Sequence, residues 1–301
     1  MSHWGDAVNQ AVPPGARDPD WVRRVLIGTT VIFLGGLLVA PLILIWTQAF
    51  SGGLALFAAA VTEPAARSAI RLTLLAAAVA VPVNVAFGIA AAWCRGKFDF
   101  RGKGLLTTLI DLPFAVSPVI AGMVFILLFG LSGWFGPFLD ERGLRVVFAV
   151  PGILLVTLFV TFPMVARELI HLMETQGTEE EQAARLMGAS GWTILRRITQ
   201  PNARWALFYG IVLCNARAMG DFGAVSVVSG HIRGRTNTLP LHVEILYNEY
   251  SYQAAFAAAS VLTALALVTL VLKAVAERRL GTAAAGRLAG HDSERPAAYA
   301  E

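Results

Sequence analysis

Long, uninterrupted runs of apolar residues recur along this chain, and they dictate the solvent in which it can fold. A run of about 20 such residues crosses a bilayer as a helix. Six can be read: Val25 to Phe50, about Leu72 to Cys94, Leu105 to Gly130, Val146 to Ile170, about Trp205 to Gly230, and Ala254 to Val275. The first is longer than the roughly 7–15 residues of a signal-peptide core, so it reads as a retained span. Of the 301 residues 56% are hydrophobic and 15% charged, against about 45–50% and 25% in soluble domains. Lipid must cover the excess. The expected fold is all-α, a polytopic bundle of six transmembrane helices over residues 25–275, with cytoplasmic tails at 1–24 and 276–301.

The net charge of +4 does not point to nucleic acid, because the basic residues lie between apolar runs rather than along one face. They set the orientation instead. With both termini cytoplasmic, seventeen Lys and Arg are counted on the inside and six outside, and Arg217 is intramembrane. Basic residues accumulate on the cytoplasmic side, so the expected location is a bacterial inner membrane with both ends inside.

Pro113, Pro118, Pro151 and Pro163 lie within spans. They suit either hinges along a moving pathway or static kinks that shape the bundle. Ala86-x-x-x-Ala90 and Ala255-x-x-x-Ala259 offer small faces for close helix approach. Cys94 and Cys214 sit in or beside apolar segments, where packing explains them better than a disulfide.

The fourth and fifth spans are joined by a segment, 171–204, whose centre reads TEEEQAARLMGASGWTILRRITQ over Thr178–Gln200, followed by Pro201. Thr178 and Glu181 fit a capping box, and Gly188 fits a helix stop. A second helix can begin near Ser190, and Pro201 is expected to end it. Apolar Met187, Trp192, Ile194 and Leu195 among charges suit a partner's groove or a helix resting on lipid headgroups.

The segment resembles the EAA loop of ABC-importer permeases, on Gln182-Ala183-Ala184, Gly188, Ile198 and Pro201. Gln182 stands where that family usually has Glu, with Glu181 beside it, and Gln200 stands where it usually has Leu. The resemblance implies a type I importer architecture, in which this loop docks on a separate ATPase subunit. That subunit would carry the ATP and Mg, with no cofactor bound by this chain. Accordingly, Gly96-Lys97 and Gly102-Lys103 lack the flanking residues of a phosphate-binding loop.

The fifth span carries Asn215, Arg217 and Asp221. A charge at the bilayer centre costs about 2.5–3.5 kcal/mol on insertion scales, so these groups should face the bundle interior. At i and i+4, Arg217 and Asp221 can pair on one helix face. They are either a gate or anion-path element, or a self-neutralising structural pair. Residues 201–207 and 215–230, with His231-Ile-Arg233-Gly-Arg235-Thr and Thr238-Leu-Pro-Leu-His242, resemble the W-type sulfate/thiosulfate importer permeases, where Glu commonly replaces Asp221. Molybdate permeases share part of this core. The resemblance, over roughly residues 65 to 275, implies sulfate or thiosulfate uptake. It also implies a second, homologous permease subunit, a dimer of ATPase subunits, and a periplasmic sulfate-binding protein that docks near Arg233 and Arg235.

Two rivals remain in view. A proton-driven secondary carrier would use Arg217 and Asp221 for coupling, and would transport without an ATPase. An intramembrane enzyme finds no motif: His3, His171, His231, His242 and His291 are scattered, with no metal-ligand spacing and no nucleophile beside a base.

Overall fold

The computed structural model describes residues 20–98, 100–175 and 179–293, and all secondary structure among them is helical. Thr178, half of the expected capping box, lies outside the described residues, as do residues 1–19 and 294–301 of the tails. In chain order the helices are α1 (Asp20–Phe50), α2 (Gly53–Thr62), α3 (Pro64–Lys97), α4 (Lys103–Ala115), α5 (Pro118–Phe129) and α6 (Gly136–Asp140). They continue with α7 (Val150–Thr175), α8 (Glu179–Leu186), α9 (Gly191–Met219), α10 (Gly223–Ser229), α11 (Leu239–Asn248) and α12 (Tyr252–Ser293).

Four stretches are unbroken spans by length and apolarity: Trp21–Phe50, Pro64–Gly96, Val150–Thr175 and Tyr252–Val275. The other two expected spans are each bent pairs. α4 and α5 meet at 107°, and α9 and α10 at 48°. The sequence marks the sharper bend. Ser117 precedes Pro118, and a pre-proline residue is driven out of the helical region; Ser117 sits at φ −57°, ψ 134°. The same rule separates α2 from α3, with Glu63 before Pro64 at φ −52°, ψ 138°. The apolar α2 itself is an element that the span pattern does not announce.

At the centre stands α7, burying Ile153, Val156, Val160, Val165, Ala166, Leu169 and Met173. Ile153, Val156 and Val160 form one buried face, and Val165, Ala166, Leu169 and Met173 form another on nearly the opposite side, so neighbours pack around the helix rather than along one stripe. α3 and α9 close on α7 beside Val165 because they present glycines there. A Cβ on Gly88 would lie 2.8 Å from Val165 Cγ1, and one on Gly210 would lie 3.1 Å from Val165 Cα. α5 and α10, the second halves of the bent spans, pack together likewise, with Gly122 against the Ala224 carbonyl and Val227. α1 lies outside this core against α12. Its large side chains are exposed, Ile32 at 77% and Leu38 at 64%, as a lipid-facing helix requires.

Ion pairs brace the end of the bundle that carries α8. Arg95 reaches Glu174 at 3.1 Å and donates to Thr107 at 3.0 Å. Arg167 donates to Asp111 at 2.6 Å and lies over the Phe114 ring. These contacts tie α3, α4 and α7 together beside the loop that the next helices form.

Candidate functional site: a helical loop fused to a broken span

α8 stops where its glycine directs. The Gly188 amide donates to the Arg185 carbonyl at 2.9 Å, and the Ala189 amide to the Ala184 carbonyl at 3.0 Å. These paired bonds form a Schellman motif, and they need a left-handed residue. Gly188 supplies it at φ +82°, with open space where a Cβ would point. Ser190 then caps the next helix, its Oγ accepting from the Thr193 amide at 3.3 Å.

That second helix does not end at Pro201, contrary to expectation. It runs through Gly191–Ile194, a π turn at Leu195–Thr199, and Gln200–Met219 without a break. The Gln200 amide bonds to the Leu195 carbonyl, five residues back. This wide turn gives the proline ring room against the preceding carbonyls, and proline needs no amide partner of its own. The loop's second helix and the first part of the fifth span are therefore one continuous rod.

The loop's residues separate into two faces. Leu186, Met187 and Trp192 point away from the bundle, 90%, 82% and 70% exposed. Gln182, Ala183 and Pro201 are also exposed, Ile198 is half-buried, and Ala184 is buried. Glu181 is buried as well, and its carboxylate accepts from Thr199 Oγ1 at 2.5 Å. Beside it, Asn202 Nδ2 donates to Glu180 at 2.7 Å. Glu181, the carboxylate beside Gln182, is thus turned toward the base of the rod.

Further along the rod, Arg217 Nη2 lies 3.8 Å from Asp221 Oδ1. The two do not share a helix, as the spacing suggested. α9 ends at Met219, and Asp221 lies in the break before Gly223. Asp221 has a fully buried side chain, whereas that of Arg217 is 38% exposed. Asn215 lies two residues before Arg217, its amide 4.0 Å from Met219 Sδ.

At the opposite end, Arg233 pairs with Glu249, and Arg235 is exposed. The Arg233 hydrogen bond holds the Glu249 carboxyl below its ordinary range. His242 is buried, with neither ring nitrogen in a hydrogen bond, and burial pushes its pKa below the usual histidine value. The loop is anchored by Ser68 donating to the Gly234 carbonyl at 2.8 Å and by the Leu239 amide donating to Thr73 Oγ1 at 2.7 Å.

One polar knot escaped the sequence reading. Asn84 in α3 is fully buried and donates to Thr161 Oγ1 at 2.7 Å, with the Leu158 carbonyl and Cys214 Sγ also within reach. A lone Asn inside an apolar run is the signal that could have found it. Among the described residues, no group of three His, Cys, Asp or Glu is placed to hold a metal ion.

Comparison with known proteins matches residues 84–282 to the family described as "Binding-protein-dependent transport system inner membrane component". The chain is 50% identical over 265 residues to a protein of Escherichia coli (strain K12) named "Sulfate transport system permease protein CysW", covering 88% of this chain and 91% of that protein. It is 34% identical over 275 residues to "Sulfate transport system permease protein CysT" of Salmonella typhimurium (strain LT2), covering 89% and 98%. Among solved structures, a chain of the bacterial alginate ABC transporter, crystallised with its alginate pentasaccharide-bound periplasmic protein, superposes with a TM-score of 0.73. The identity there is 18%, over 87% of this chain and 95% of that one, so the likeness is one of fold.

Proposed function

This chain belongs to the family of binding-protein-dependent transport system inner membrane components, and from that premise we propose that it is a permease subunit of an ATP-driven importer of sulfate or thiosulfate. The observation that carries the proposal is the two-faced loop. Leu186, Met187 and Trp192 stand exposed on a Schellman-terminated hairpin whose second helix continues into a span. Such a surface, outside the apolar spans, suits the groove of a separate ATPase subunit. That subunit would bind ATP and Mg and perform the hydrolysis. Both termini and the loop face the cytoplasm, on the strength of the seventeen-to-six distribution of basic residues.

The substrate assignment rests on similarity to the proteins named CysW and CysT. The likeness to two such names also supports pairing with a second, homologous permease. A periplasmic oxyanion-binding protein would dock at the end that carries Arg233 and Arg235, and Asn215, Arg217 and Asp221 would lie at the gate of the path. The test is ATP-dependent uptake of labelled sulfate into proteoliposomes that hold both permeases, the ATPase and the binding protein. Competition by thiosulfate but not by molybdate is expected. Stronger competition by molybdate would reassign the substrate, and uptake without the ATPase would overturn the mechanism.

A further inference from the structure

The loop carries carboxylates that a partner-facing surface does not need. Glu181 is buried against Thr199, and Glu180 meets Asn202, bridging 18 and 22 residues across the Gly188 turn. Thr199 closes the π turn, and Asn202 lies one turn further along the same rod. A π turn places one extra residue in the helix, rotating the residues before it by about 100° relative to those after it. That shift determines which side chains of the rod's base meet α8.

We propose that Glu180 and Glu181, with Asn202 and Thr199, form a strut that fixes α8 to the base of the fifth span. Motion imposed on the exposed tip is thereby delivered to the break at Asp221. The inference rests on the importer reading and deepens it: these carboxylates act on transmission and do not contact the ATPase. Gly188, left-handed and in open space, would otherwise let α8 swing as a flap. With the strut in place, the hairpin and the rod move as one body. The rod is roughly 40 Å long at 1.5 Å per residue, and it ends two residues before Asp221. A push at Leu186 or Trp192 then has a stiff path to the bend between α9 and α10.

The decisive variant is Thr199→Val, alone and with Asn202→Ala, in the complete transporter reconstituted in proteoliposomes. The ATPase should co-purify at wild-type stoichiometry, and hydrolysis should stay within twofold. Sulfate uptake per ATP hydrolysed should fall at least tenfold, and Thr199→Ser should restore it to within twofold. Unchanged uptake per ATP would overturn the strut, and so would loss of the ATPase subunit from Thr199→Val, which would make the carboxylates partner contacts. A second measurement stands apart from transport. Amide hydrogen exchange of this chain in nanodiscs should quicken over residues 180–187 in Thr199→Val and stay unchanged in α7. Equal exchange in that variant and the wild type would overturn the strut whatever the uptake shows. A wild-type complex with no ATP-driven uptake would overturn the importer reading, and the exchange result would then judge the strut alone.

Discussion

Asn84 in α3 donates to Thr161 in α7 at 2.7 Å, and Thr161 in turn donates to the Thr157 carbonyl at 2.7 Å. Two spans are thus joined by a buried polar chain. Such bonds average about 0.6 kcal/mol in a membrane protein and reach about 1.7, because the separated helices also find partners. The knot therefore fixes the register of α3 on α7 more than it adds stability. Asn84→Ala should cost about 1–2 kcal/mol, since truncation also leaves a small void. It should lower the melting temperature of the purified chain by a few degrees, and Thr161→Val should cost less. A drop beyond ten degrees would show that the knot carries far more of the fold than its bonds suggest.

The Gly188 turn yields a graded expectation. A side chain at φ +82° costs roughly 1–2 kcal/mol, less for Asn, which tolerates that region. Gly188→Asn should assemble and transport at a reduced rate. Gly188→Leu meets no intramolecular obstacle at its Cβ, yet it adds bulk at the exposed tip and should abolish co-purification with the ATPase. Equal assembly of the two variants would remove the tip from the partner contact.

These two sites show what the sequence makes visible. The Gly188 stop is legible because a helix C-terminus leaves a chemical signature, a glycine after an amphipathic run. The spans are legible because lipid demands about 20 apolar residues apiece. The 107° break between α4 and α5 is half legible: Pro118 announces that Ser117 leaves the helix, but the angle depends on how α5 packs against α10. By contrast, the π turn at Leu195–Thr199 is a change of hydrogen-bond register, which leaves no compositional trace. Pro201 therefore reads as a terminator when it is an interior residue. The inward turn of Glu181 depends on that register, so the strut was hidden with it.

His242 gives a pH expectation. Its pKa is pushed below the usual value by burial, against the opposing pull of Glu63 and Glu249 and with the help of Arg233. The folded state thus binds fewer protons here than the unfolded chain, whose histidine titrates near about 6.5. The stability this neutral ring confers is fully present above that value and is lost as pH falls below it, by at most ~1.4 kcal/mol per pH unit. Wild-type protein should lose thermal stability from pH 7 to pH 5 more steeply than His242→Gln. Parallel curves would show that His242 does not titrate against folding.

Orientation is open to labelling in a background lacking Cys94 and Cys214. Ser132 and Arg235 are exposed at one end of the bundle, and Ser190 is exposed at the other. Cysteines at the first two should react with a membrane-impermeant thiol reagent added to intact spheroplasts, and one at Ser190 should react only after lysis. The reverse pattern would put the loop outside the cell and end the case for an ATPase partner.

The last expectation concerns Arg217 and Asp221, 3.8 Å apart across the end of α9. Asp221 is the vulnerable partner: its side chain is fully buried, while that of Arg217 is 38% exposed. Removing the cation leaves a buried carboxylate without its counter-charge, which costs more than removing both. Arg217→Ala should therefore lower membrane abundance several-fold, Asp221→Ala should lower it less, and the double variant should recover much of the loss. The coupling is read directly from this cycle of four proteins. An anion-attracting role predicts a different pattern, because substrate sees only the exposed partner. In that case Arg217→Ala would insert normally and lose uptake, and adding Asp221→Ala would restore none of it. Abundance and sulfate uptake measured together separate the two. The burial asymmetry favours the structural pair, so recovery in the double variant is the expected result, and full abundance of both single variants would refute it.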